Sequence, residues 1–146
     1  MPTPTTPASN GGSDHPGAAL GLPARGRGSL ASLLRRGGAA LVDWAVSQLI
    51  VVTVLDIDVT AGGSAAFAPL GLFALMHLLL VGTIGRTIGH AVVGVEVRAL
   101  DGGPLRPRQT LVRTLMVLLF LPAVFTADDG RGFHDKAAGA MTLRSR

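Results

Sequence analysis

An all-α membrane protein is the architecture to expect from this sequence, with a transmembrane helical hairpin, a third, shorter apolar helix that crosses or re-enters, and a short cytoplasmic β segment. Composition and two long apolar runs carry that expectation. Of 146 residues, 48% are hydrophobic and only 15% charged, whereas a soluble domain of this size carries about a quarter charged residues. The mean hydropathy is positive, at +0.47. A chain of this length has room for one compact unit, so any site is built inside that unit or shared between copies of it.

Residues 1–29 are rich in Pro, Thr, Ser and Gly and show no apolar periodicity. Such a segment buries too little surface to offset the entropy of ordering and is expected to be a disordered tail. It opens with Pro and Thr rather than with basic residues ahead of an apolar stretch, so no cleaved signal is expected. The membrane domain is expected over 30–146.

The first apolar run, 37–55, reads GGAALVDWAVSQLIVVTVL with a single charge. As a helix it reaches about 28 Å, close to the roughly 30 Å hydrocarbon thickness of a bilayer. The second, 65–84, reads AAFAPLGLFALMHLLLVGTI with no Lys, Arg, Asp or Glu and spans about 30 Å. The intervening DIDVTAGGS is short and turn-rich, which suits a connection between antiparallel helices. Past Arg86, VVGVEVRAL alternates Val with small or polar residues and leads into Asp101, Gly102 and Gly103, which predicts a strand and turn within 91–104. A second strand at Ala140 to Leu143 can pair with it. The third apolar run, 111–127, includes Arg113 and Pro122 and reaches only about 25 Å, leaving both a crossing and a re-entrant helix open.

The thirteen Lys and Arg fall before the first run, between Arg86 and Arg113, and from Arg131 onward, and the loop at 56–64 has none. Positive charge is retained on the cytoplasmic side, so the amino terminus and the strand segment are expected inside a bacterial inner membrane. The C-terminal tail is basic as well, which conflicts with three full crossings and favours re-entry. The net charge of +4 and the pI near 11.3 would also suit nucleic acid. Five of the six aromatics, however, lie in apolar runs rather than among the basic residues, so the bilayer is the expected partner and nucleic acid is not. The absence of cysteine excludes disulfides and thiolate chemistry.

The candidate chemistry centres on Asp43, a carboxylate inside the first apolar run, which needs a partner or a proton. Arg36, on the same helical face, is about 10 Å away along the axis and leans away from it, so a direct bridge is not expected. His77 lies at a matching depth in the second run, and Ser47 continues the polar stripe one turn beyond Asp43, next to Gln48. Two readings stay open: a proton or cation site, or a structural pair in which Asp43 bonds His77, Arg86 or Arg113 to fix packing. Gly85 and Gly89 form a GxxxG spacing suited to close helix approach. His134 with Asp135 is similar to a paired ligand set of metal-dependent phosphohydrolases, but the further His and Asp such sites need are missing, so no metal is expected. Without a P-loop, dinucleotide fingerprint or nucleophile elbow, neither an enzyme nor a cofactor is expected.

The stretches RRGGAALVDW, GRTIGHAVVGVEVRALDGGPL and GFHDKAAGAMTLR, in that order around the apolar helices, resemble the RDD family of bacterial membrane proteins over about 35–144. That family is named for one arginine and two aspartates, and the resemblance places them at Arg36, with Arg35 a rival, at Asp43, and at Asp135, with Asp128 and Asp129 as alternatives. His90 departs from the basic residue often found at its position in the family. The resemblance implies membrane location and a transport role, including the sodium/proton exchange suggested for some members. The leading expectation is therefore transport or a transport-accessory role for a proton or monovalent cation, in a homo-oligomer or with a membrane partner. The alternative is a non-catalytic scaffold that docks a partner on its cytoplasmic segment.

Overall fold

The computed structural model describes residues 15–119 and 126–146, and within them the fold is mostly helical with one two-stranded sheet. Helix α1 (Leu33–Thr53) starts four residues ahead of the apolar run, because Ser32 caps it by accepting from the Arg35 amide. Arg36, Ala39, Asp43, Ser47 and Val51, three or four residues apart, form its buried face. Leu34, Leu41, Leu49 and Val52 are exposed, Leu34 to 87%. This inverts the polarity of a soluble helix, which turns its apolar stripe inward. Lipid is the surround that suits it.

Helix α2 (Gly63–Ile84) is, among the described residues, the one helix long and apolar enough to cross a membrane, with a mean hydropathy of 2.0 over its apolar window. Its 22 residues reach about 33 Å, which matches a bilayer core. Only 28% of that window is buried, unlike the core helix of a soluble protein. The helix opens with a 3-10 stretch at Gly63–Phe67 and widens into a π turn at His77–Val81. Such a widening re-aims the side chains at the turn. Trp44 of α1 packs edge-on against Phe73 of α2, ring centroids 6.1 Å apart.

Gly85 ends α2 in the left-handed region, with φ 73°, and its carbonyl accepts from the Val97 amide at 2.7 Å. A Cβ there would sit 2.9 Å from the Val97 oxygen, so glycine is required on two counts. The strand expected within 91–104 is corrected at its start. Thr87 caps a short helix α3 (Ile88–Val93), and Gly94, at φ 71°, switches the chain into strand β1 (Val95–Ala99). The valine alternation therefore spans two elements. Strand β1 pairs antiparallel with β2 (Ala140–Arg144), Val97 opposite Thr142, as the sequence suggests.

The third helix starts ahead of its expected bounds. Helix α4 (Pro107–Leu118) starts at Pro107, where the Gln109 side chain accepts from the Arg106 amide. Residues 120–125, with Pro122, lie outside the described residues. Like α1, α4 turns polar groups inward, Thr110, Arg113 and Thr114, and Leu111 and Leu115 outward. Helix α5 (Phe133–Ala138) packs on α4 and leads into β2.

Of the amino-terminal tail, residues 1–14 lie outside the described residues. Beyond them, the Gly17 amide donates to the Asp129 carbonyl, the Gly28 amide to Arg144 and the Ala31 amide to Thr142. Leu30 forms a bridge with Leu143. The segment entering α1, the strand that follows α3 and the C-terminal strand thus share one layer.

Candidate functional site

Asp43 sits on the buried face of α1 with no solvent exposure. Its Oδ1 accepts from the Gly89 amide at 2.7 Å and its Oδ2 from the Thr87 hydroxyl at 2.5 Å. His90 Nδ1 lies 3.6 Å and His77 Nε2 3.9 Å from that same Oδ2. His77 Nδ1 lies 3.0 Å from the Phe73 carbonyl. A carbonyl only accepts, so Nδ1 carries the hydrogen and Nε2 is turned toward the carboxylate.

Thr87 is the hinge of this network. Its hydroxyl touches both Asp43 Oδ2 and His90 Nδ1, yet it has one proton to give. Either Thr87 donates to the carboxylate and accepts from a protonated Nδ1, or it donates to a bare Nδ1 and Asp43 carries a proton. The two states hold the same protons, placed differently: the Nδ1 proton passes to the Thr87 oxygen as the Thr87 proton passes to Asp43, with no rearrangement of heavy atoms. Burial pushes the His90 imidazole below its ordinary range, against the raising effect of its bond with Asp43.

The carboxylate reaches this position because α1 and α3 meet at Gly89. A Cβ there would overlap the Ala39 carbonyl and lie 2.9 Å from Asp43 Cγ. Gly89→Ala is therefore expected to force the helices apart and cost about 1–3 kcal/mol. Thermal unfolding in detergent should fall by several degrees, whereas Gly37→Ala, where nothing lies within 4 Å, should leave it unchanged or slightly raised.

The donor atoms of Asp43, His77 and His90 lie within 4.8 Å of one another. Zinc bonds of about 2.0 Å in a tetrahedron place ligand atoms roughly 3.3 Å apart, and His90 Nδ1 is already engaged by Thr87. As it stands, the arrangement suits a shared proton or a small cation rather than a closed metal cage.

A second cluster surrounds Asp135, which has no exposure either. Arg113 Nε donates to its Oδ1 at 2.8 Å and the Thr142 hydroxyl to its Oδ2 at 2.6 Å, and His134 Nε2 lies 3.3 Å from Oδ1. Burial alone would raise the carboxyl pKa. The Arg113 guanidinium, then His134 and the Thr142 bond, outweigh burial and bring it down to about 2. Arg36 lies within electrostatic reach of both Asp135 and Arg113, as does His90, so the two clusters adjoin.

The remaining expected residues divide clearly. Ser47 donates to the backbone carbonyl of Asp43 at 2.8 Å, not to its carboxylate. Arg35 caps α3 through the Val93 carbonyl at 2.5 Å. Arg86 is exposed and stands apart from both clusters. Arg113 pairs with Asp135, not Asp43. Asp128 is exposed, and Asp129 makes a local bridge to Arg131 at 2.7 Å. Sequence reasoning passed over Thr87, Gly89 as a donor, and Thr142, and it noted His90 only as a departure. The cap spacing of Thr87 ahead of His90 was the available signal.

Between α1, α2 and α4 lies a cavity of about 770 Å³. Its walls include Leu41, Trp44, Phe73 and Val117, and its polar lining is Arg36, His77, His90, Arg113 and His134.

Helices that turn apolar residues outward and gather arginine, aspartate and histidine inward define a helical domain made for a membrane surround. The chain belongs to the RDD family: the model of that family matches residues 30–139 of the 146, and its members are generally membrane-associated. No curated protein and no solved structure shows significant similarity to the chain.

Proposed function

We propose that this chain is a multi-pass protein of the bacterial inner membrane in which Asp43 takes up and releases a proton or monovalent cation, in a transport or transport-accessory role. The carrying observation is a fully buried carboxylate in an outwardly apolar helix, faced by two imidazoles and a hydroxyl that can pass it one proton. Intramembrane carboxylates with such partners mark ion and proton paths. On this reading Arg36, Asp43 and Asp135 are the family's arginine and two aspartates. The reading is of a transporter and not of an enzyme. The outward apolar faces suit association with further copies, which would enclose a path too small for one copy to form.

The topology we favour is a hairpin of α1 and α2 with a cytoplasmic amino terminus. The lack of Lys and Arg at 56–64 supports the orientation. The bridge between Leu30 and Leu143 and the pairing of β1 with β2 bring the segment entering α1 and the C-terminal strand to one side, which favours a re-entrant α4. A scaffold role has less support, because β1 pairs with β2 on one edge and donates from Val97 to Gly85 beyond it, leaving little free edge for a docked strand.

Purified protein in proteoliposomes should dissipate an imposed pH gradient when sodium, lithium or potassium is added, above the rate of empty vesicles. No acceleration with any of the three, from correctly inserted protein, would remove the transport reading.

A further inference from the structure

The cavity between α1, α2 and α4 combines an apolar wall with a basic end. At about 770 Å³ it is within the range of ligand pockets, roughly 300–1000 Å³. No Asp or Glu is among its lining residues. The polar groups that reach it are two guanidiniums and three imidazoles, and the Asp135 carboxylate behind them is already bonded to Arg113 and Thr142.

Arg36 is the group this arrangement leaves least satisfied. It is only 9% exposed, and among the described residues its hydrogen bond is a long 3.4 Å contact to the Gly130 carbonyl and its Nε has no partner. A guanidinium offers five N–H donors, and a buried charge without a counter-ion is costly. Arg113, 3% exposed, spends Nε on Asp135 and leaves Nη1 without a partner. Among the described residues, both guanidiniums therefore face the Asp135 carboxylate, Arg113 pairs with it directly, and Arg36 is left without a direct ion pair beside the cavity.

The position of that charge argues for its counter-ion. Arg36 lies in the first turn of α1, ahead of the apolar run, where a bilayer's headgroups begin. Leu41 and Trp44, one and two turns further on, line the same cavity and are exposed on the outward face. A ligand with a negative head at Arg36 and an apolar tail along Leu41 and Trp44 would run parallel to α1, as a lipid does. We propose that the cavity binds an anionic phospholipid of the cytoplasmic leaflet, its phosphate held by Arg36 and Arg113 and an acyl chain lying along the α1 wall. Basic pockets between membrane helices on the cytoplasmic side bind such headgroups, and arginine matches the phosphate with paired donors. This assigns a ligand to residues the proton network at Asp43 does not use, and binding is read without flux, so failure of either proposal leaves the other standing.

The test is binding to full-length, delipidated protein in detergent, followed by native mass spectrometry and thermal unfolding. Phosphatidylglycerol, phosphatidylcholine with the same chains, and inorganic phosphate are the probes. Phosphatidylglycerol should bind at least tenfold tighter than phosphatidylcholine and raise the unfolding midpoint, and inorganic phosphate should do neither. Arg36→Gln should lose that preference, while Arg35→Gln, whose side chain caps α3, should keep it. Leu41→Trp, on the exposed wall and away from the buried polar groups, serves should Arg36→Gln fail to fold, and it should weaken phosphatidylglycerol binding severalfold. Equal binding of the two lipids would make the contact a general annular one and overturn the proposal. Inorganic phosphate binding as tightly as phosphatidylglycerol would make the site one for a soluble anion, and unchanged binding in Leu41→Trp would empty the acyl chain from the wall; either result overturns it.

Discussion

Asp43→Asn should reduce proton-coupled exchange at least tenfold while the protein still inserts and folds. The amide has nearly the same shape, so its oxygen can go on accepting from the Gly89 amide, which now donates at 2.7 Å. The Asn NH2 then faces Thr87, whose hydroxyl can turn to donate to His90 Nδ1 instead. The bonds are remade at a cost of about 1–2 kcal/mol, mostly the exchange of charge-assisted bonds for neutral ones. What cannot be remade is the titration, because an amide neither binds nor releases a proton near neutral pH. Asp43→Ala separates the two effects from the other side. It leaves the Gly89 amide and the Thr87 hydroxyl buried without an acceptor, at about 2–4 kcal/mol, and should lower the unfolding midpoint well below that of Asp43→Asn. Exchange by Asp43→Asn at the parental rate would show that the carboxylate is there for packing.

Much of this site was legible because a charge inside an apolar run is costly and therefore informative. Asp43 stood out as the one charge in its apolar run, the depth of His77 followed from helical rise, and the shared face of Arg36, Asp43 and Ser47 followed from helical period. All three are local to one helix or to two joined by a short loop. The rest depends on contacts between elements distant in sequence. Thr87 and His90 reach Asp43 only because α3 is a helix, and the valine alternation after it concealed that helix as strand. Arg113 looked like a partner for Asp43. Its actual partner, Asp135, lies 22 positions away, beyond a segment with no periodicity to set its return path. The order in residues 15–29 was equally invisible, since backbone bonds such as Gly28 to Arg144 leave no trace in side-chain pattern.

The Arg113–Asp135 pair should prove the most destabilising to break and among the least to replace. Both groups are essentially buried, so removing one strands the other: Arg113→Met or Asp135→Leu should each cost about 3–5 kcal/mol. The combined variant should cost clearly less than their sum, because two apolar side chains leave no orphaned charge, although Arg36 and Thr142 would still lose a neighbour. Acid adds an independent measure. The folded pKa of Asp135, about 2, lies below the ordinary carboxyl value near 3.9. A depressed folded pKa contributes stability above the unfolded value that is lost as pH falls through the folded one. Its contribution, on the order of 2–3 kcal/mol, should therefore be complete above about pH 4 and disappear between about pH 4 and 2. Unfolding midpoints of the parent should drop steeply across that window, and those of Asp135→Asn, already lowered, should show a shallower fall. Parallel acid profiles for the two proteins would mean that the guanidinium does not hold this carboxyl in its charged form, and would move the acid-sensitive group elsewhere in the fold.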